Sequence, residues 1–305
     1  MIEFHPSKEE AERLLEKYNI VPMWTEVVAD LETPVSTYMK LAQVDGSSSP
    51  SFLLESVEHG ERWGRYSFVG VDPFLVFMSH NGRIEVAGEP FGQLEGNPLE
   101  AIAGLLKGFT TPDVPELPPL IAGGVGYLGY DVVRYLESLP QTTVEDVEVP
   151  EIILIFARSL LVFDHLRQRI TVVSNLVGGE DYDEAAARTE RLIHRLGEPL
   201  TYQPRAPSSV EVGEVPSTMT QESHSRAVER AKDHILAGDI FQVVISHRMS
   251  AELDADPFDV YRMLRLINPS PYMFFLSHPA VTVLGSSPEP LIKVQGRRVV
   301  QRPIA

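Results

Sequence analysis

The sequence contains no cysteine, and this absence excludes three kinds of chemistry. A chain without thiols forms no disulfide, binds no metal through thiolate and has no cysteine nucleophile. Basic residues are also scarce, since 26 Lys and Arg stand against 43 Asp and Glu and give a formal charge of −17. Because that charge repels a phosphate backbone, we expect no nucleic-acid partner. The lack of cysteine fits a reducing compartment, so we expect a cytoplasmic protein.

Long apolar runs are absent as well. No stretch of the sequence approaches the roughly 18 residues that a membrane span requires. The start, residues 1–5, lacks the basic, apolar and small-residue succession of a secretion signal. We therefore expect no membrane partner. The overall composition, 43% hydrophobic and 23% charged, is that of an ordinary globular protein.

Several familiar catalytic motifs are missing too. The sequence has no Walker loop, no H-E-x-x-H, no EF-hand loop and no G-x-S-x-G, and its nine His residues lack metal-ligand spacing. A formal G-x-G-x-x-G does occur at 124–129, in mid-chain and without a βαβ pattern around it. We interpret it as a closely packed strand and keep a nucleotide-dependent oxidoreductase only as a distant alternative.

The periodicities that are present predict a mixture of helices and short strands. Ser7 and Glu10 form a capping-box pattern before an amphipathic helix, and Asn81-Gly82 is typical of a hairpin turn. A second hairpin is predicted over 159–174 and a strand over 241–249. Further helices are predicted at 98–106, 181–196, 220–237 and 257–267. Because hairpins are frequent and strict βαβ alternation is absent, the fold class predicted is α+β, with mainly antiparallel sheets packed with helices.

A Pro-rich stretch without periodicity, 199–217, is the best linker in the chain. It predicts an N-terminal domain at 1–198, a linker at 199–217 and the start of a second domain at 218–305. The sequence ends on what resembles a strand still in progress. We therefore expect the second domain to be truncated.

Three segments combine residue types that suit a ligand site. The apolar strand L-L-E-S ends on Glu55 and Ser56, although an ordinary strand end is the simpler explanation when it is taken alone. The segment N-P-S-P-Y-M-F at 268–274 is fixed by two prolines, and its Tyr and Met can wall an apolar pocket. The segment G-D-I-F-Q-V-V at 238–244 follows a helix and by itself predicts a cap and a buried strand.

Together these segments resemble anthranilate synthase component I, the large, chorismate-using subunit of that enzyme. They are similar to its tryptophan-site strand, its N-P-S-P-Y-M-F turn and its G-D-I-F-Q-V-V strand. Three further motifs, at 123–131, 285–290 and 302–305, resemble its G-G-x-x-G-Y segment, its S-P-E turn and the beginning of R-P-I-A-G-T-R. The resemblance extends over essentially the whole chain.

The resemblance implies the β-sandwich of that family, incomplete at the C-terminus. It also implies an enzyme that converts chorismate and ammonia to anthranilate and pyruvate with Mg²⁺, a glutamine amidotransferase partner that supplies the ammonia, and feedback inhibition by L-tryptophan. The family's catalytic and metal-binding residues follow R-P-I-A, so none is assigned here and we expect this chain to be inactive. The motif that leads into the substrate site consists of Arg302, Pro303, Ile304 and Ala305.

For tryptophan, the resemblance assigns five residues of this sequence. Glu55 and Ser56 are expected to bind the ligand ammonium and fix its orientation. Pro271, Tyr272 and Met273 are expected to enclose the indole.

Other chorismate-using enzymes and a tryptophan-binding module without activity remain alternatives. Aminodeoxychorismate synthases often carry P-I-K where Ala305 stands, and that lysine can attack chorismate as a nucleophile. Alanine offers no such group, which favours anthranilate synthase, although isochorismate and salicylate synthases can also carry a small residue there. The L-L-E-S strand argues against the isochorismate group.

Overall fold

A computed structural model describes residues 2–28, 30–42, 49–56, 64–142, 146–200, 202 and 215–301. The chain divides into a larger unit, Met1–Leu200 with Pro257–Ala305, and a smaller unit, Thr201–Asp256. The first boundary lies next to the predicted linker, but residues from Pro257 onward group with the N-terminal part. The division into domains at 1–198 and 218–305 stays a prediction.

Helices and strands alternate irregularly along the chain, as expected for an α+β protein. The described helices are α1 (Lys8–Leu15), α2 (Pro34–Ala42), α3 (Pro98–Gly108), α4 (Tyr182–Leu196), α5 (Gln221–Ala237) and α6 (Pro257–Ile267), with a 3₁₀ helix at Tyr130–Tyr135. The described strands are β1 (Ile20–Val28), β2 (Ser51–Glu55), β3 (Tyr66–His80), β4 (Arg83–Gly88), β5 (Gly124–Leu128), β6 (Ile152–Asp164), β7 (Arg169–Val177), β8 (Tyr272–His278), β9 (Val281–Ser287), β10 (Lys293–Gln295) and β11 (Arg298–Val300). None of these helices has both the length and the apolar character needed to cross a membrane.

Local capping chemistry places the helix starts. The Ser7 hydroxyl accepts a hydrogen bond from the Glu10 amide, and the Glu10 carboxylate accepts one from the Ser7 amide, which confirms the predicted capping box. Asn97 and Glu100 form a second capping box at α3. Asp181 caps α4 through two backbone amides.

Nine strands form one antiparallel sheet, whose main path runs β1-β7-β6-β3-β2-β8-β9. Strand β4 pairs with β3, and β5 pairs with β6. Asn81 and Gly82 both have positive φ, as the predicted type I′ hairpin turn between β3 and β4 requires. The predicted α+β class with mainly antiparallel pairing is thus confirmed.

Strand β6 shows where the core lies. Twelve of its 13 residues are buried, so both faces of the sheet are covered around it. On one face Leu161 belongs to a cluster that includes Tyr38 of α2, Leu192 of α4 and Tyr261 of α6. On the other face Val162 belongs to a second apolar cluster.

The glycine-rich segment at 124–129 is a strand and not a dinucleotide loop. Residues Gly124–Leu128 form β5, and a Cβ added to Gly126 would lie 1.8 Å from the carbonyl oxygen of Ile153. A Cβ on Gly124 would lie 2.8 Å from the ring of Phe156. The glycines therefore allow β5 and β6 to approach closely, which confirms the packing interpretation.

The smaller unit contains one wrong prediction. Its helix α5 begins at the Thr220 cap and ends at Gly238 with φ of 80°, but the predicted strand over 241–249 does not form. Within the described residues of this unit, only Met249 makes a bridge, to Ser217, while Phe241 is 94% exposed. The reason is physical, since strand-forming residues need a neighbouring strand to bond their amides and carbonyls.

A half-buried carboxylate, Glu151, joins the end of β3, the β3–β4 turn and the 3₁₀ helix. Oε1 of Glu151 accepts hydrogen bonds from Ser79 Oγ (2.6 Å), Tyr135 Oη (2.6 Å) and the Gly82 amide (2.9 Å). Burial alone would raise the pKa of Glu151, but these donors outweigh it and the pKa is lowered. Burial, followed by the bond to Glu151, raises the pKa of Tyr135 to about 12.

We expect Glu151→Gln to lower the free energy of unfolding by about 1–2 kcal/mol at pH 7, because charge-assisted bonds become neutral ones. A carboxylate with a lowered pKa in the folded state stabilises above its unfolded pKa of roughly 4.3, and this contribution disappears as the pH falls through the folded pKa. The difference in the free energy of unfolding between the wild-type protein and the variant should therefore shrink in acid.

Urea unfolding at pH 7 and pH 4 measures both effects. The exposed Glu148→Gln is the control, and equal losses in the two variants would contradict the assignment.

Candidate functional site

Two motifs that are far apart in sequence are neighbouring strands in the structure. Strand β2, which carries L-L-E-S, pairs antiparallel with β8, so that Glu55 lies opposite Met273 and Leu54 opposite Phe274. Strand β8 pairs in turn with β9, where Met273 lies opposite Ser286 of the S-S-P-E motif. Three of the motifs on which the resemblance rests therefore occupy three adjacent strands.

The N-P-S-P turn connects α6 to β8 and is held from both sides. The Asn268 amide bonds to the Leu264 carbonyl at the end of α6, 2.8 Å away. The Asn268 carbonyl accepts a hydrogen bond from Ser286 Oγ of β9 at 2.6 Å. Because the prolines also fix φ, the turn sets where the chain enters β8 at Tyr272.

Glu55 is buried, with only 2% of its side chain exposed. The Tyr261 hydroxyl of α6 donates to its Oε2 at 2.7 Å, across 206 positions of sequence. Arg265 Nε lies 3.0 Å from the same oxygen as an ion pair, although the angle is not that of a hydrogen bond. A buried charge requires such partners, so Glu55 fixes α6 against β2. Burial and the nearby carboxylate raise the pKa of Tyr261 far above its ordinary value.

Four of the five predicted residues divide between the two faces of the sheet, and the fifth, Pro271, lies in the turn before β8. Met273 is 1% exposed and packs in the same core cluster as Tyr261, on the face that contains Glu55. Tyr272 is 47% exposed and points to the opposite side. Strand alternation places Ser56, the first residue after β2, on that opposite side as well. The assignment of these residues to one tryptophan site stays a prediction. A ligand on the face that carries Ser56 and Tyr272 would contact these two side chains more directly than Glu55 and Met273.

Two glycines leave room beside these strands. A Cβ on Gly64 would lie 2.0 Å from the Ser56 side chain, so another segment of backbone passes close to Ser56. A Cβ on Gly285 of β9 would lie 2.4 Å from the ring of Phe274, which covers this glycine from β8. Both positions allow aromatic or hydroxyl side chains to lie against backbone.

Sequence reasoning missed Tyr261 and Arg265, the two partners of Glu55. They stand four residues apart on the predicted helix at 257–267, and this spacing places both on one face. A phenol and a guanidinium beside buried Phe258 could have indicated a buried acidic partner. The identity of that partner was not available from local sequence, because it lies near the other end of the chain.

The remaining motifs do not join this site. Arg302, Pro303, Ile304 and Ala305 lie outside the described residues. The G-D-I-F-Q-V-V segment belongs to the smaller unit. In the described parts of the chain, no group of three or more His, Asp or Glu is placed to hold a metal ion. The described residues therefore do not fit a magnesium centre, and Mg²⁺ stays a prediction.

A family model described as chorismate binding enzyme matches residues 49–305. This chain belongs to that family. Among similar curated proteins, anthranilate synthase component 1 of Acetivibrio thermocellus is 39% identical over 99% of this chain and 63% of its own length. Anthranilate synthase component 1 of Pseudomonas aeruginosa is 40% identical over 94% of this chain and 60% of its own length. The chain thus spans about three fifths of these relatives.

Two solved structures have a fold similar to that of this chain. Anthranilate synthase component I from Streptococcus pneumoniae TIGR4 superposes with a TM-score of 0.65 at 25% identity, covering 90% of this chain and 59% of that one. The menaquinone-specific isochorismate synthase MenF from Escherichia coli superposes with a TM-score of 0.51 at 15% identity, covering 94% of this chain and 55% of that one. The second likeness shows the fold alone. The recognition of the family from its motifs is confirmed.

We expect Tyr261→Phe to lower the free energy of unfolding by about 2 kcal/mol, because a buried carboxylate loses its hydroxyl donor. Because the pKa of Tyr261 is raised in the folded protein, the free energy of unfolding should also depend on pH. The hydroxyl stabilises the fold below the unfolded tyrosine pKa of about 10, and this contribution is lost as the pH rises further. Unfolding of the variant should therefore depend less steeply on pH above about 10. Chemical unfolding from pH 7 to pH 11 measures this slope. Tyr130→Phe, at a site 92% exposed, is the control, and identical behaviour of both variants would refute the role of Glu55 as the partner.

Proposed function

We propose that the whole protein represented by this chain is the large subunit of an anthranilate synthase. It would convert chorismate and ammonia to anthranilate, pyruvate and water in tryptophan biosynthesis. Ammonia adds at C2 of chorismate, the C4 hydroxyl leaves as water, and pyruvate is then eliminated to give the aromatic ring. The observation that carries the proposal is the alignment of the L-L-E-S, P-Y-M-F and S-S-P-E motifs on adjacent strands β2, β8 and β9.

Similarity to the relatives supports the same proposal. Curated proteins named anthranilate synthase component 1, from several bacteria, are 37–40% identical to almost the whole chain. The word component implies a second subunit, which we propose to be a glutamine amidotransferase that releases the ammonia. We also propose a cytoplasmic location, in keeping with a chain that has no cysteine.

We further propose that tryptophan binds at the end of β2. The carboxylate and ammonium of a free amino acid require polar partners, and the indole requires an apolar or aromatic surface. Ser56 supplies a hydroxyl, and the half-exposed Tyr272 of the neighbouring strand supplies a ring. Glu55 then acts in one of two ways, either by pairing with the ammonium or by holding β2 and α6 in place.

We expect Ser56→Ala to weaken tryptophan binding by about 0.5–1.5 kcal/mol, the range for one net hydrogen bond. Isothermal titration calorimetry of the whole protein measures this, with Ser277→Ala at the far end of β8 as the control. If Glu55 pairs with the ligand ammonium, Glu55→Gln should cost more than Ser56→Ala, since charge-assisted bonds are stronger. If Glu55 acts only through α6, Tyr261→Phe should reproduce the effect of Glu55→Gln. Unchanged affinity in both Ser56→Ala and Glu55→Gln would remove these residues from the site.

We expect the whole protein, supplied with chorismate, Mg²⁺ and ammonium, to form anthranilate and pyruvate in equal amounts. The 305-residue chain alone should form none, because the family's acid/base and metal-binding segment follows R-P-I-A. Anthranilate fluorescence and a coupled pyruvate assay measure both outcomes. Aminodeoxychorismate, isochorismate or salicylate as the main product would refute the proposal. The same result would also refute the interpretation of Ala305. Anthranilate from the short chain would refute the assignment of catalysis to the missing segment.

A further inference from the structure

A cavity of about 380 Å³ lies between α2, α4 and the sheet in the larger unit. Its walls include Arg188, Arg191 and Arg195 of α4, and its base includes Val71 of β3 and Ser159 of β6. The volume falls in the range of ordinary small-molecule pockets. Ser51 at the start of β2 lines it, so it is roughly five residues, about 16 Å, from Ser56 along the strand. The cavity is therefore distinct from the proposed tryptophan site.

The charge of the cavity is opposite to that of the chain. The whole sequence has a formal charge of −17, yet three arginines face this one space because their spacing places them on one side of α4. Among the described lining residues, Asp72 is the one acid. Arg188 pairs with Glu180, whose other oxygen is taken by Arg158 at 2.6 Å.

The other two arginines keep their charge directed to the cavity. Arg195 donates a hydrogen bond to the backbone carbonyl of Lys40 at 2.7 Å. Because a carbonyl is neutral, this bond does not neutralise the charge of the guanidinium. For Arg191, no ion pair is found with any residue that the structure describes, and its side chain is exposed. A carboxylate entering the cavity would therefore find at least one guanidinium available for a two-point contact.

Two buried polar atoms on these walls have no hydrogen-bond partner in the described chain. One is Ser159 Oγ, in a residue with no exposed surface, and the other is Arg188 Nε, which lies 3.8 Å from Asp72. Ser174, the ladder partner of Ser159, shows the contrast, because its hydroxyl is bonded to Thr189 Oγ1 of α4 at 2.7 Å. Native proteins satisfy nearly all buried polar groups, so two unsatisfied donors on one cavity indicate an acceptor that binds there.

The backbone beside the cavity is also irregular. Asp72 has φ of 52°, in the left-handed region that non-glycine residues seldom adopt. The pairing of β3 with β6 shifts register between Pro73 and Leu75, directly after it. Bulges and positive φ values concentrate at ligand sites, where they redirect side chains.

We propose that this cavity binds a small organic carboxylate with an apolar body. The carboxylate accepts hydrogen bonds from Arg188 Nε and Arg191, and from the Ser159 hydroxyl. The apolar body rests on Leu41, Val71 and Leu192, which line the same space. This apolar base favours an organic acid over inorganic phosphate, which would leave those side chains uncovered.

The first test is calorimetric titration of the 305-residue chain with sodium benzoate, sodium acetate and inorganic phosphate. We expect benzoate to bind in a saturable way, at least tenfold more tightly than acetate or phosphate, and to remain bound when tryptophan is saturating. Tighter binding of phosphate, displacement by tryptophan or no saturable binding of benzoate would each overturn the proposal. Because tryptophan binding is measured separately, this outcome is independent of the proposed function.

Matched variants test the residues. Arg191→Glu should weaken benzoate binding at least tenfold, while Arg167→Glu, exposed and outside the cavity, should leave it unchanged. Ser159→Ala should raise the melting temperature of the unliganded chain, because it removes an unsatisfied hydroxyl, and should weaken benzoate several-fold. Equal losses in Arg191→Glu and Arg167→Glu would show a nonspecific charge effect and overturn the site. If circular dichroism shows that Arg191→Glu is unfolded, Arg191→Gln provides the same comparison.

Discussion

The pairing of β2 with β8 is the constraint on which the rest of the candidate site depends. Strand β2 has five residues and lies between β3 and β8, so its backbone groups bond on both sides. A slip of one residue in this ladder would move every side chain of β2 to the opposite face. Glu55 would then leave its partners on α6, and a buried carboxylate without donors is strongly unfavourable. The interaction of Glu55 with Tyr261 therefore helps specify the register that places the motifs together.

Local features of the fold could be predicted because they depend on neighbouring residues. The capping box at Ser7 and the Asn81-Gly82 turn require only chemistry within four positions, and both occur as predicted. The close packing of Gly126 against β6 could be predicted from glycine alternation in an apolar segment. The failed strand at 241–249 shows the limit, since apolar and β-branched residues form a strand only where a neighbour supplies the other half of the ladder.

Long-range features were beyond this kind of inference. The linker near 200 could be located from its prolines, but composition does not reveal that residues from Pro257 onward group with the N-terminal unit. That grouping depends on the β2–β8 ladder, which joins segments separated by most of the chain. For the candidate site, the motifs Glu55-Ser56 and Pro271 to Met273 could be named in advance. Their division between two faces of the sheet required the register.

The acidic excess of the chain is used inside the fold as well as on its surface. Glu151 and Glu180 each hold partners from different elements, and Glu55 of β2 holds two partners from α6, so each carboxylate fixes the relative position of the segments around it. At the cavity under α4 this relation is reversed, because arginines outnumber acids among the lining residues and two donors lack acceptors. An acceptor supplied by a ligand would satisfy these two donors at the cavity. The same rule that buried polar groups must be paired thus accounts for the contact between Glu55 of β2 and Tyr261 of α6 and for the proposed ligand in the cavity at the other end of β2.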